Sequence, residues 1–353
     1  MKVLVLHAYS AENAGDGLLV RETLSLIRDA FGSDTQITVA ASHPETFVGL
    51  EVNIVDSSPG LFGYNRNYLR ILRSMDEFDV VVGVGGGYIR AGYAAEAIKM
   101  LLVHGPQLLA ASRTKTPSIY LPQSIGPAVP LLRRLLNSRL ANVEVVHVRD
   151  DRSLAEFTRA GVTRTSDLAI LSSSPRLGKS LDVDSTPVVS IRAVRGKVSP
   201  LVIDLARQVK AFDGYVQSET AGNNDVAAMH SIGPRRILPR QELMAPPTGA
   251  KSRVVVAVRL HAALMALQAG HFVIHLAYER KGFGAFEDLG LDNFVHNVNK
   301  FEPFRVVRQI DLLLTDETER ARYVESLNLV LEKSDSHRAL LIEDLRRLPG
   351  FHS

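Results

Sequence analysis

Apolar residues in this chain come in unbroken runs, and polar residues gather between them. Lys2–His7, Gln36–Ala40, Val52–Val55, Asp79–Val84, Ser118–Leu121 and Val143–Val148 each read as a short strand. Runs without polar alternation belong to parallel strands covered on both faces. Between them the spacing turns helical: Gly17–Phe31 carries Leu18, Leu19, Leu24, Ile27 and Phe31, and Ala94–Leu109 and Leu131–Leu140 follow suit. Alternation of the two patterns predicts a doubly wound α/β unit.

The stretch Leu171–Pro187 (LSSSPRLGKSLDVDSTP) interrupts the pattern with Ser, Gly, Pro and charge, as a boundary does. A second set begins beyond it: Val188–Val194, a helix near Leu201–Phe212, short segments at Tyr215–Gln217 and Asp225–His230, then Val254–Val258, Ala262–Ala269 and Phe272–Leu276. Glu317–Leu348 predicts two amphipathic helices packed outside. The expectation is α/β with two Rossmann-like domains facing a cleft: residues 1–178 on the acceptor side, 187–315 on the donor side, and C-terminal helices over 316–353. A chain of 353 residues exceeds one ordinary core, in line with two domains.

Candidate chemistry sits where strands end. Val254–Val258 runs into Arg259-Leu260-His261 and a helix, which puts a fixed cation and an imidazole at a helix N-terminus, a site that favours anions. Asn13-Ala14-Gly15-Asp16-Gly17 opens a helix after the first strand, and Asp16 there is either a functional carboxylate or a cap. Gly83-Val84-Gly85-Gly86-Gly87 lets backbone approach a ligand or lets a strand turn sharply. Gln123 and Ser124 could bond a hydroxylated substrate or decorate a Gly/Pro turn. Val145–Val148 ends in Arg149 and Ser190-Ile191 in Arg192; both forks suit phosphate or carboxylate, and Arg149 could instead pair with Asp150 or Asp151. The glycine spacing does not match a dinucleotide fingerprint.

Composition removes several classes. Without cysteine there are no disulfides, thiolate sites or cysteine nucleophiles. No histidine pair shows ligand spacing beside a carboxylate, so no metal is expected. A net charge of +3 without a basic, aromatic stripe argues against nucleic acid. No apolar run approaches the length of a membrane span and no signal peptide is evident, so stable membrane insertion is not expected and the chain reads as cytoplasmic. Arg320, Arg322, Arg346 and Arg347 leave open a peripheral position at the inner face of a membrane, although a solvated helix face is the better explanation.

Taken in order, Asn-x-Gly-Asp, Gly-Gly-Gly, Gln-x-Ile-Gly-Pro, Val-Arg-Asp, Arg-Leu-His and the run Tyr278–Leu291 (YERKGFGAFEDLGL) resemble the polysaccharide pyruvyl transferases over about residues 1–300. The resemblance implies a glycosyltransferase-B-like architecture and transfer of the enolpyruvyl group of phosphoenolpyruvate to sugar hydroxyls as a ketal. It implies further that Arg259 and Arg149 hold the donor's phosphate and carboxylate, that His261 is the general acid, and that Asp16 is a base near the acceptor. Asn13, Gly86, Gly87, Gln123, Ser124, Arg192 and Leu260 complete the expected substrate contacts. No cofactor is called for beyond the phosphoenolpyruvate donor, and the acceptor would be a glycan or a lipid- or nucleotide-linked precursor. Ser124, where the family usually has glycine, and Arg90 after the glycine run depart from the usual pattern. Two rivals remain: a nucleotide-sugar glycosyltransferase of the same architecture, and a non-catalytic binding subunit of a glycan-assembly complex.

Overall fold

The computed structural model describes residues 1–61, 63–171, 182–194, 196–218, 224–247 and 249–348. The chain divides into two compact units, Met1–Leu171 with Asp335–Ser353, and Ser172–Ser334.

The first unit is built on a seven-stranded sheet ordered β3-β2-β1-β6-β7-β8-β9, in which every pairing is parallel. Its strands are β1 (Lys2–Ala8), β2 (Gln36–Ala41), β3 (Asn53–Asp56), β6 (Val80–Gly83), β7 (Ser118–Gln123), β8 (Val145–Val148) and β9 (Val162–Arg164). A two-stranded hairpin, β4 (Pro59–Gly60) and β5 (Gly63–Tyr64), stands apart. The helices are α1 (Ala14–Phe31), α2 (Arg66–Arg73), α3 (Ala94–Lys99), α4 (Gly105–Ala111), α5 (Pro130–Leu140), α6 (Asp151–Glu156) and α7 (Leu168–Leu171). The predicted single helix over Ala94–Leu109 is interrupted, since a π-helical turn over Met100–His104 joins α3 to α4. On one sheet face Leu4, Leu6, Val81 and Tyr120 share a core with Tyr68 of α2, Leu108 of α4 and Leu136 and Leu140 of α5.

The second unit has a five-stranded parallel sheet ordered β11-β10-β12-β13-β14. Its strands are β10 (Val188–Ser190), β11 (Asp213–Gly214), β12 (Val254–Ala257), β13 (Phe272–Ala277) and β14 (Val295–Asn297). The helices are α8 (Pro200–Val209), α9 (Val226–Ser231), α10 (Arg240–Met244), α11 (Leu260–Gln268), α12 (Arg280–Glu287), α13 (Pro303–Thr315) and α14 (Glu317–Arg347). β10 is shorter than the predicted Val188–Val194, and the short segment at Tyr215–Gln217 directly follows β11.

The expected pair of C-terminal helices is one helix of 31 residues. No glycine or proline falls between Glu317 and Leu348, so the polar Lys333-Ser334-Asp335-Ser336 stretch has nothing to break the hydrogen-bond ladder. The end of α14 belongs to the first unit: Arg338 pairs with Asp29 of α1 at 2.5 Å, and Arg346 donates to the carbonyls of Asp29 and Ala30. Its Asp344 lies 3.1 Å from Nε2 of the fully buried His147.

Candidate active site

In the first unit β1, β6, β7 and β8 lie side by side, so the segments leaving their carboxyl ends are neighbours. The strand order reverses between β1 and β6, the position at which open α/β sheets leave a crevice for ligands. Asn13 caps α1, its side chain accepting from the Gly15 N–H at 3.3 Å and donating through Nδ2 to Asp16 Oδ2 at 2.8 Å. Asp16 thus sits in the first turn, favoured by the helix dipole and held by an amide.

Gly86, Gln123, Ser124 and Arg149 are stitched together by backbone. The Ser124 N–H donates to the Gly86 carbonyl at 2.7 Å and the Arg149 N–H to the Gln123 carbonyl at 2.9 Å. The Arg149 guanidinium is buried and doubly tied, donating from Nε to Ser124 Oγ at 2.8 Å and from Nη1 to Asp167 Oδ2 at 2.5 Å. A pairing with Asp150 or Asp151 is not formed: Asp150 caps α6 and Asp151 pairs with Arg164. At Gly87 a Cβ would stand 3.3 Å from Arg149 Nη2, so glycine keeps this edge of the guanidinium open. Arg90 pairs with Glu96 at 3.1 Å.

Gln123 does not sit on an exposed turn. It is 1% exposed, and its Nε2 donates to the Tyr88 hydroxyl at 2.7 Å, inside a cluster of rings. His7 stacks on Tyr88 with centroids 4.6 Å apart and meets the Tyr120 hydroxyl through Nε2 at 2.8 Å; its backbone N–H donates to Gln107. His104 lies 4.7 Å from Tyr88. Burial holds both histidines neutral, pushing His104 down to about 3 and His7 well below its ordinary value. His7 has a φ of 71°, a left-handed conformation that a residue with a Cβ adopts only where its surroundings impose it.

In the second unit the same logic applies to β10, β12 and β13, whose carboxyl ends bring up Arg192, Arg259 and Tyr278. Arg259 is the N-cap residue of α11 and leaves it without a side-chain cap. Its guanidinium grips Asp225 bidentately, Nε to Oδ2 at 2.6 Å and Nη2 to Oδ1 at 2.9 Å. Asp225 is 2% exposed, and burial raises its carboxyl in spite of Arg259 and Arg192. Arg192 lies over the Tyr278 ring, 5.0 Å from its centroid, and donates to its hydroxyl at 2.8 Å. His261 stands half-buried on the first turn of α11. Leu260 beside it is 5% exposed; its side chain belongs to the core, so only its backbone is available to a substrate.

The chain matches the sequence profile of the polysaccharide pyruvyl transferases over residues 13–222. It belongs to that family. No curated protein matches it. Among solved structures, this pyruvyl transferase family member is similar in fold to HepE of Anabaena, crystallised with UDP and glucose, at 14% identity and a TM-score of 0.61, with 99% of this chain and 100% of that one covered. MurG of Acinetobacter baumannii is similar at 14% identity and a TM-score of 0.54, covering 97% and 99% of the two chains. A UDP-N-acetylglucosamine 2-epimerase gives 13% identity and 0.55, covering 98% and 96%. These likenesses establish a glycosyltransferase-B-like α/β fold.

Among the candidate residues, Asn13, Asp16, Gly86, Gly87, Gln123, Ser124 and Arg149 lie in the first unit, and Arg192, Arg259, Leu260 and His261 in the second. Sequence reasoning missed the carboxylates that fix the arginines. Asp167 had a signal, a Thr-Ser-Asp turn just before the apolar Leu168–Leu171. Asp225 follows Asn223-Asn224 with no periodic pattern around it. Among the described residues no group of three His, Asp or Glu could hold a metal ion.

Proposed function

We propose that this transferase moves the enolpyruvyl group of phosphoenolpyruvate onto sugar hydroxyls of a glycan or glycan precursor, forming a pyruvate ketal. The observation that carries the reading is Arg259, locked by a buried carboxylate at the uncapped N-terminus of α11 with His261 on that helix's first turn and Arg192 on the adjacent strand's end. Two guanidiniums and a helix dipole suit a polyanionic donor, and the Asp225 clamp fixes Arg259 before substrate arrives.

His261 would deliver a proton to the methylene carbon of phosphoenolpyruvate, turning C2 into an oxocarbenium-like centre. A sugar hydroxyl oxygen bonds to C2, the C2–O bond to phosphate breaks, and a second hydroxyl closes the ketal. One hydroxyl proton replaces the one given to carbon and the other leaves with phosphate through a base, the role assigned to Asp16. Arg149, held by Ser124 and Asp167, would supply the fixed positive charge on the acceptor side. General acid–base catalysis of this kind contributes roughly 10²–10⁴-fold. A phosphoenolpyruvate donor implies a cytoplasmic reaction.

The test is a thermal-unfolding titration with phosphoenolpyruvate, with nucleotide sugars as controls. A ligand that binds the folded state raises the midpoint by mass action. Phosphoenolpyruvate is expected to raise the midpoint of the wild type but not of Arg259→Ala, and His261→Ala is expected to keep the response and lose turnover. A response to nucleotide sugars alone would replace this reading with the glycosyltransferase one, which the likeness to HepE, MurG and the epimerase keeps in view.

A further inference from the structure

Large apolar side chains on the surface are concentrated in one part of the first unit. Of the twelve exposed among the described residues, nine lie between Leu61 and Leu135. The same part carries the chain's positive charge. Residues 61–143 hold ten Lys and Arg against four Asp and Glu, which leaves 31 basic and 34 acidic residues elsewhere out of the chain's 41 and 38.

Most of both sets ride on the helices that cover one face of the first sheet. α2, α4 and α5 bury Tyr68, Leu108, Leu136 and Leu140 in a common core, so their opposite sides face outward together. Outward stand Tyr93, Ile98, Leu101 and Leu102 on the α3–α4 segment and Leu131 and Leu135 on α5, with exposures from 41 to 76%. The Val129 N–H donates to the Ala91 carbonyl at 2.9 Å, which joins the start of α3 to the start of α5, and the Tyr64 hydroxyl donates to the Leu102 carbonyl at 2.7 Å. Arg66 and Arg70 of α2 and Arg133 and Arg134 of α5 are exposed around them.

We propose that this face binds an anionic phospholipid surface. In α5 the run Leu131-Leu132-Arg133-Arg134-Leu135 sets exposed leucines directly against exposed arginines. The core of a protein interface is depleted in charge, whereas a helix in a lipid interface sinks its leucines while its arginines reach the headgroups. Arg133 and Arg134 also border a groove of 780 Å³ with Ser138 and Thr158, hydroxyls that suit a phosphodiester; its carboxylate, Glu156, is already taken by Arg152 at 2.5 Å. The C-terminal arginines are not needed for this contact: Arg346 is spent on α1 carbonyls and Arg347 on Glu343. Gly87 and Ser124 lead within a few residues to Tyr93 and Val129, so, on the function proposed above, a membrane-held acceptor would arrive beside the first unit's candidate residues.

The experiment is co-sedimentation of the full chain, without phosphoenolpyruvate, with vesicles of phosphatidylcholine alone or mixed with phosphatidylglycerol. Binding to the mixed vesicles only, weakening as salt rises, is expected. Arg133→Ala/Arg134→Ala is expected to bind about 25-fold more weakly, at about fivefold per cation. Leu131→Ser/Leu135→Ser is expected to lose binding while its melting curve stays that of the wild type. No sedimentation with anionic vesicles, or equal sedimentation of wild type and both variants, would overturn the proposal. So would lipid-free dimerisation abolished by Leu131→Ser/Leu135→Ser, which would give the face to a second copy of the chain. Because no turnover is read, neither result bears on the donor.

Discussion

Two glycines two residues apart on α12 should respond to alanine in opposite directions. In a helix interior, Gly→Ala gains roughly 0.5–1 kcal/mol from propensity alone. At Gly284 a Cβ meets nothing within 4 Å, so Gly284→Ala should keep that gain. At Gly282 a Cβ would stand 2.4 Å from Nε2 of His275 and 2.9 Å from Cβ of Ala277. The imidazole cannot swing away. Its Nδ1 is 2.8 Å from the Ala257 carbonyl, which can only accept, so Nδ1 carries the proton, and the ring stacks on Phe286 with centroids 5.1 Å apart. Relief requires moving α12 or breaking a buried hydrogen bond. Overpacking costs about 1–3 kcal/mol and an unsatisfied buried group about 1–3 kcal/mol, against which the propensity gain is small. By either route Gly282→Ala should therefore lose about 1–2 kcal/mol net. For a unit of this size that lowers the melting midpoint by roughly 2–8 °C, while Gly284→Ala raises it by roughly 1–4 °C. Differential scanning calorimetry of both variants decides the matter. A Gly282→Ala protein that melts at or above the wild type would refute the packing assigned to His275.

Acid should destabilise the chain through its buried histidines. Burial lowers His271 and His275 to about 4 and His104 to about 3, against about 6.5 unfolded, so between these values the unfolded state binds more protons and stability falls as pH drops from 6.5 toward 4. Each histidine contributes up to about 1.4 kcal/mol per pH unit in that window, and a midpoint that stays flat from neutrality to pH 4.5 or so would contradict their neutral, buried state. Asp167→Ala should cost about 3–5 kcal/mol by urea denaturation, because it strands the buried Arg149 guanidinium. A loss under about 1 kcal/mol, the range of an exposed pair, would mean that Arg149 finds another anion or reaches water.

Strands with unbroken apolar runs were legible: Lys2–His7, Val254–Val258 and Phe272–Leu276 each differ from β1, β12 and β13 by one residue. β9 and β14 were not, because Val-Thr-Arg and Val-His-Asn at sheet edges carry little apolar signal. Strand ends pointed to Arg149, Arg192 and Arg259 because the sheet dictates where cations gather. Their partners Asp167, Asp225 and Tyr278 meet them only through tertiary structure, 18, 34 and 86 residues away along the chain. The turn around Gln123 misled for a related reason: Pro122 and Gly126 suggest solvent, while the rings of His7, Tyr88 and Tyr120 close over the site from distant segments.

The route of α14 has a consequence for synthesis. The first unit receives its last piece, from Asp335 onward, only after the whole of Ser172–Ser334 has been made. At about 5–20 residues per second, that is a wait of roughly 10 to 30 s. During it, Ser25 and Asp29 lack Arg338, and His147 lacks the carboxylate of Asp344. The unit that begins first on the ribosome is thus completed last, and that flank of α1 stays uncovered until then.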